Sequence, residues 1–168
     1  MNVLAVDTAS SALTIALLHG DRFFETTLEF GLHHTEHLAS ETESLLQKAG
    51  VPAEEIGIVG CTAGPGSFTG LRIGMSFAKG FAFALSIPMV SVPSLDLYAF
   101  GFAFFSGSVV PVLDARKKRI YTASYAGGER QSDFLAIAPL SLLEYLPNGV
   151  PSLLTGPYAR HIYLMLSG

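Results

Sequence analysis

Two aspartates, a glycine-rich loop, a histidine pair and a basic tetrad are the residues here whose types and spacing suggest chemistry. Asp7 ends the apolar run "NVLAVD" and Asp114 ends "SVVPVLD"; each is followed by a short turn and a second apolar stretch. A carboxylate at such a strand end either serves a phosphate hairpin or accepts bonds from the amides of its own turn. Between the two lies "TAGPGSFTGLRIGMSFAKGFAFAL", Thr62 to Leu85, a glycine-rich loop opening a long helical pattern. That is the setting in which backbone N–H groups and a helix N-terminus hold phosphate. His33 and His37 of "HHTEH" stand four apart, the spacing of two zinc ligands on one helical face. Arg116 to Arg119 reads "RKKR".

Each of these has a plainer reading. A phosphate-loop NTPase needs a lysine and a hydroxyl residue after its last glycine, but Gly70 is followed by Leu71 and Arg72. Glycines at 64, 66, 70 and 74 also miss the spacing of a dinucleotide fingerprint. Gly66, Gly70, Gly74, Ala78 and Ala82 instead recur every four residues and form a ridge almost without side chains. Glycine costs about 1 kcal/mol against alanine inside a helix, so the spacing favours close backbone packing that offsets the loss. The histidine pair lacks a third ligand nearby, and His34, Thr35 and Glu36 read as a helix start, with Glu36 favoured by the dipole. Cys61, at the end of an apolar strand, reads as a small core residue. "RKKR" reads as a solvated hairpin tip, with an RNA-backbone contact inside a larger complex as the sharper alternative.

The elements that carry these residues follow from the patterning. "NVLAVD", "ALTIALLHG" and "DRFFETTLEF" read as three strands, followed by a helix from Thr35 to Ala49 that Gly50 and Pro52 stop. "IGIVGCTA" reads as a buried strand, residues 67–85 as a second helix, and "PMVSV" as a short strand. Ser94 is expected to cap a third helix through "LDLYAFGFAFF"; "SVVPVLD" and "KRIYTASYAG" form another strand pair, and "LSLLEYL" a further helix.

Composition bounds the rest. Of 168 residues, 49% are hydrophobic and 14% charged, and mean hydropathy is +0.43. The longest charge-free run, Leu97 to Leu113, has 17 residues, below the roughly 20 a membrane span needs. No signal-peptide pattern opens the chain, and one cysteine fits a reducing cytoplasm, so a cytoplasmic protein is expected. A net charge of −4 is not the footprint of a protein that grips nucleic acid by itself.

Placing Asp7 on Asp114, an offset of 107, sets "LAVDTASSALTIA" over "PVLDARKKRIYTA". Two strand-Asp-turn-strand units at a domain-sized offset point to duplication. The expected division is a first lobe over 1–106 and a second over 107–168. The 62 residues of the second are too few for a full copy, so it is expected to be truncated or degenerate. This duplicated unit resembles that of the actin, Hsp70 and sugar-kinase superfold, a ribonuclease H-like α/β fold with a mixed sheet. More narrowly, "LAVDTASSALTIALL", "HTEHL", "GPGSFTGLRIGMSFAKGFA" and "VVPVLDAR" resemble the TsaB family of bacterial tRNA threonylcarbamoyladenosine biosynthesis, over residues 2–125.

The resemblance implies a non-catalytic, activating subunit with no cofactor or metal. Its implied partners are a homologous catalytic subunit (TsaD) and a small ATPase (TsaE), with tRNA met only through the complex. Superfold kinases have a glycine soon after each Asp. Here Thr8-Ala9 and Ala115-Arg116 follow, which speaks against the alternative, an acetate- or sugar-kinase-like phosphotransferase using Asp7 and Asp114. The helical wheel points the same way as the resemblance. Residues 67–85 carry one apolar stripe through Ile73, Phe77 and Phe81, and another through Leu71, Met75, Ala78 and Ala82, about 120° apart. One sheet cannot cover both. Leu38, Thr42, Leu45, Leu71, Met75 and Ala78 are therefore expected at a partner contact with Arg72 and Lys79 at its rim, and a homodimer is expected without the partner.

Overall fold

The structure, a computed structural model, describes residues 1–29 and 34–167, apart from the side chains of residues 34 and 35. By contacts the chain groups into two units, Met1–Val92 and Pro93–Gly168.

In the first unit, β1 (Asn2–Asp7), β2 (Leu13–His19) and β3 (Arg22–Leu28) form an antiparallel meander. Helix α1 (His34–Ala49) follows and ends at Gly50, whose φ of 69° suits a residue without Cβ. The Gly50 amide donates to the Gln47 carbonyl and the Val51 amide to that of Leu46, the paired bonds that satisfy a helix end. Strand β4 (Ile56–Gly64) runs parallel to β1, and α2 (Phe68–Leu85) returns over the sheet, capped by Ser67, whose hydroxyl accepts the Gly70 amide. With β5 (Met89–Pro93) at the edge, the sheet order is β3-β2-β1-β4-β5. Alternation in β1 and β2 sends Leu4, Val6, Leu13, Ile15 and Leu17 into one core with Leu38, Leu45, Leu46, Ala78 and Ala82 of the two helices.

The second unit opens with α3 (Ser94–Phe100). Ser94 is the first helical residue, with Pro93 in the capping position, and the helix stops at Gly101 instead of continuing through Phe105 as expected. Leu95 and Ala99 pack with Val109, Leu113 and Tyr125, which is why α3 groups with this unit although the 106/107 boundary places it in the first lobe. Strand β6 (Ser108–Asp114) is central and buried up to Asp114. The long second strand expected here is two pieces, β7 (Ile120–Thr122) and β8 (Tyr125–Ala126), both antiparallel to β6; between them the Ser124 amide leaves the ladder for the Ser132 hydroxyl. Strands β9 (Glu129–Arg130) and β10 (Leu135–Ile137), helix α4 (Leu142–Tyr145), strand β11 (Ser152–Thr155) and helix α5 (Ala159–Ser167) complete the unit.

The duplication extends beyond the hairpins. In the first unit β3 pairs β2, β2 pairs β1, and β4 joins β1 in parallel. In the second, β10 pairs β7, β7 pairs β6, and β11 joins β6 in parallel. The second copy is degenerate: β8 and β9 intervene between β7 and β10, and α4 has four residues where α1 has sixteen. No helix among the described residues is long and apolar enough to cross a membrane.

Candidate functional site

The Asp7 turn is closed by the helix that follows it in the sheet. Asp7 Oδ1 accepts the Ala9 amide at 2.8 Å and the Thr62 hydroxyl at 2.8 Å. The Ser67 amide donates to the Ala9 carbonyl at 2.7 Å, and the Thr8 hydroxyl donates to the Gly70 carbonyl at 2.8 Å. The glycine ridge makes this approach possible. A Cβ on Gly66 would lie 2.5 Å from the Ala9 oxygen, on Gly70 2.0 Å from the Thr8 oxygen, and on Gly74 2.3 Å from Thr8 Oγ1. No real Cβ contact is that short, so the glycines serve packing; at the start of α2 the Ser67 amide is engaged by the turn and the Gly70 amide by the Ser67 cap.

Asp114 repeats the local geometry without the cover. Its Oδ1 accepts the Arg116 amide at 2.8 Å, two residues on, as Asp7 accepts that of Ala9. The Arg116 guanidinium lies 3.4 Å from Oδ2. Arg116, Lys117 and Lys118 take φ values of 62°, 48° and 59°, and all four residues of the tetrad are exposed.

The structure corrects part of the expected contact surface. Leu38, Thr42, Leu45 and Ala78 are buried against their own sheet, Ala78 completely, and Thr42 spends its hydroxyl on the Leu38 carbonyl at 2.7 Å. The single apolar stripe of α1 is its seat on the sheet, so none of it is left over. Leu71 and Met75 are half-buried: Leu71 lies against Gly64, and Met75 Sδ is 3.8 Å from Cys61 Sγ. Arg72 and Lys79 are exposed as expected of rim residues.

What the two helices do present is different. Phe68 and Phe83 are 74% and 88% exposed on the outer side of α2, and the Arg72 guanidinium sits 5.3 Å from the Phe68 ring centre. Along the seam with α1, Phe77 and Phe81 stack obliquely at 5.9 Å. Two shallow grooves meet there at Ala39 and Phe77: one of about 450 Å³ beside Phe68, Arg72 and Ile73, the other of about 470 Å³ beside Glu43, Gln47 and Phe81. Phe68 and Phe83 escape the sequence reading because on the wheel Phe83 falls within, and Phe68 beside, the polar stripe of Arg72, Ser76 and Lys79.

Cys61 is buried, and that burial raises its thiol pKa, with Lys79 opposing and Asp7 reinforcing the shift. It is a core thiol, and a thiolate nucleophile is disfavoured there. Of the histidine pair, His33 lies outside the described residues and His37 sits on α1; the side chains of His34 and Thr35 in the expected helix start are also outside them. Among the described residues no three His, Cys, Asp or Glu side chains gather as a metal site would need.

The duplicated hairpins, the parallel fourth strand and the helix returning over the sheet define an actin-like, ribonuclease H-like α/β protein. Its structure matches that of YeaZ from Pseudomonas aeruginosa with a TM-score of 0.79 at 25% identity, covering 99% of this chain and 90% of that one. A family model described as "TsaD: tRNA N6-adenosine threonylcarbamoyltransferase" matches residues 29–150, and the chain belongs to that family. Curated proteins similar to the chain include several named tRNA threonylcarbamoyladenosine biosynthesis protein TsaB. The one from Bacillus subtilis is 34% identical over 126 residues, 74% of this chain and 55% of its own length. The one from Escherichia coli K12 is 33% identical over 134 residues, 77% of this chain and 57% of its own length. The chain thus spans a little over half the length of the curated relatives it matches.

Proposed function

We propose that the chain is a non-catalytic, activating subunit in the biosynthesis of threonylcarbamoyladenosine in tRNA. It docks a homologous catalytic subunit, TsaD, through the outer faces of α1 and α2. TsaE, a small ATPase, joins the same assembly, the compartment is the cytoplasm, and without its partner the chain pairs with itself across the same surface. The observation that carries the reading is the closed Asp7 turn. The carboxylate that a phosphotransferase would turn toward ATP is spent on the Ala9 amide and the Thr62 hydroxyl, and the start of α2 is bonded to the Asp7 turn through Ser67 to Ala9 and Thr8 to Gly70. That also disfavours the kinase-like alternative built on Asp7 and Asp114.

The contact expected in this reading is Phe68, Arg72, Met75, Lys79 and Phe83 with the seam residues Ile73 and Phe77. Isolated exposed apolar residues are ordinary, but two phenylalanines at this exposure on one helix, one of them lining a groove, support a docking face. A partner of the same fold offers an equivalent helix pair, so the two surfaces meet across a near two-fold axis. Co-expression with the catalytic subunit of the same source, followed by affinity capture, tests this. The native chain is expected to retain its partner, and Phe83→Glu or Phe68→Glu to lose it while staying folded. Retention by the Phe68→Glu/Phe83→Glu double variant would overturn the assignment of the surface.

A further inference from the structure

The open Asp114 turn borders a cleft of about 630 Å³ that lies wholly within the second unit. Arg116, Lys117, Lys118 and Arg119 form one wall, and Tyr158 and His161 stand on the other, their rings stacked at 4.6 Å and 28°. Asp114 is the one carboxylate in the lining, and its oxygens are taken by the Arg116 amide and guanidinium. Arg119 reaches the Ala136 carbonyl, which pins the base of the turn. Among the described residues Lys117 and Lys118 have no ion pair or hydrogen bond, and their charges are free. Three consecutive side-chain-bearing residues at positive φ are unusual, each costing roughly 1 kcal/mol, and such outliers concentrate where a site requires them.

Charge is divided unevenly along the chain. Residues 1–92 hold four Lys and Arg against nine Asp and Glu; residues 93–168 hold six against five. The overall negative charge is therefore the property of the first unit, and the second has a local cationic face that whole-chain charge conceals. We infer that the Arg116–Arg119 turn and the Tyr158–His161 stack form a direct binding site for the phosphate backbone of RNA, with an unpaired base resting on the aromatic pair. A single-stranded segment fits this chemistry: exposed cations follow the phosphates and aromatic faces hold bases without reading their sequence. A mononucleotide fits less well, since the cations stand on an exposed turn. The inference goes beyond a contact with tRNA made only through the complex. It rests on the proposed function only for which RNA is met in the cell.

Binding of a fluorescein-labelled 12-nucleotide single-stranded RNA to the isolated full chain, followed by anisotropy across a salt series, tests it. The informative variant is Lys117→Asn/Lys118→Asn, because asparagine accepts positive φ and leaves the turn's backbone in place. The expected result is binding at low salt that weakens at least tenfold in this variant, with the log–log salt slope flatter by roughly 1.4, about 0.7 for each cation removed. His161→Ala is expected to weaken binding with the slope unchanged, while Lys48→Gln on α1 leaves both as they are. No binding by the native chain, or equal binding by the double lysine variant, overturns the site. ATP or inorganic phosphate competing as well as unlabelled RNA at equal phosphate concentration overturns the choice of RNA, and an acidic peptide competing equally overturns nucleic-acid recognition. None of these results bears on capture of the catalytic subunit, so the two proposals fail separately.

Discussion

Asp7 and Asp114 occupy the same place in two copies of one hairpin, and each holds the amide two residues on at 2.8 Å. Around the first, Thr8 and Ala9 are buried under the start of α2; around the second, four cations face solvent. Local sequence makes the turn in both cases, and what packs against it decides its fate. In the first unit the partner is a helix stripped of side chains along one ridge, so the turn is structural. In the second, the four exposed cations border a cleft beside Tyr158 and His161, and the turn is left open. One turn of the duplicated pair is thereby closed by packing, and the other presents a charged surface.

The sharpest way to break that contrast is to push α2 off the first turn. Gly70→Ala places a methyl 2.0 Å from a backbone oxygen that has no room to give. It is expected to cost about 3 kcal/mol or more, the upper end of overpacking, read as a lowered urea midpoint. In the same helix, Gly80 has nothing within 4 Å of its Cβ position, and Gly80→Ala is expected to stabilise by about 1 kcal/mol. Equal effects at the two sites would refute the packing role of the ridge.

Next in size is the pair Asp7→Ala and Asp114→Ala. The first strands a partly buried Thr62 hydroxyl and the Ala9 amide and is expected to cost about 2 kcal/mol; the second releases groups to water and costs about 0.5 kcal/mol. Comparable losses would mean that the second turn carries as much of the fold as the first.

The last effect is a change in how stability depends on alkaline pH. Tyr125 is buried and donates to Asp96 Oδ1 at 2.5 Å, with Arg130 3.7 Å from the same oxygen. Burial chiefly, and the Asp96 carboxylate next, raise the phenol pKa above its ordinary value near 10. The folded chain therefore keeps a proton that the unfolded chain loses. This contribution is whole below about pH 10 and declines as pH rises beyond it. Tyr125→Phe is expected to be less stable at pH 8 by about 1 kcal/mol and to show a shallower loss between pH 10 and 11. An unchanged alkaline slope would contradict this.

Much of this was legible in the chain. The Gly50 stop and the glycine ridge with its spacing of four each have one local physical cause, and both stand in the structure as read. The duplication was visible at Asp7 and Asp114 but not beyond them, because β10 is too short to leave a periodic signal and the helix in "LSLLEYL" is a quarter the length of α1. The contact surface was misjudged where tertiary context rules. A wheel locates stripes but does not say which one the sheet takes, so Leu38, Thr42, Leu45 and Ala78 were assigned outward while they form the core. Phe68 and Phe83 were hidden by their polar neighbours, and the cationic cleft by the acidity of the other unit.

Isothermal titration of the isolated chain with ATP, and then with its homologous catalytic subunit, puts the central claim to the most direct test. The account predicts no heat from ATP, a stoichiometric heat from the subunit, and loss of that heat in Phe68→Glu/Phe83→Glu. Stoichiometric ATP binding abolished by Asp7→Ala, with no heat from the subunit, would contradict it.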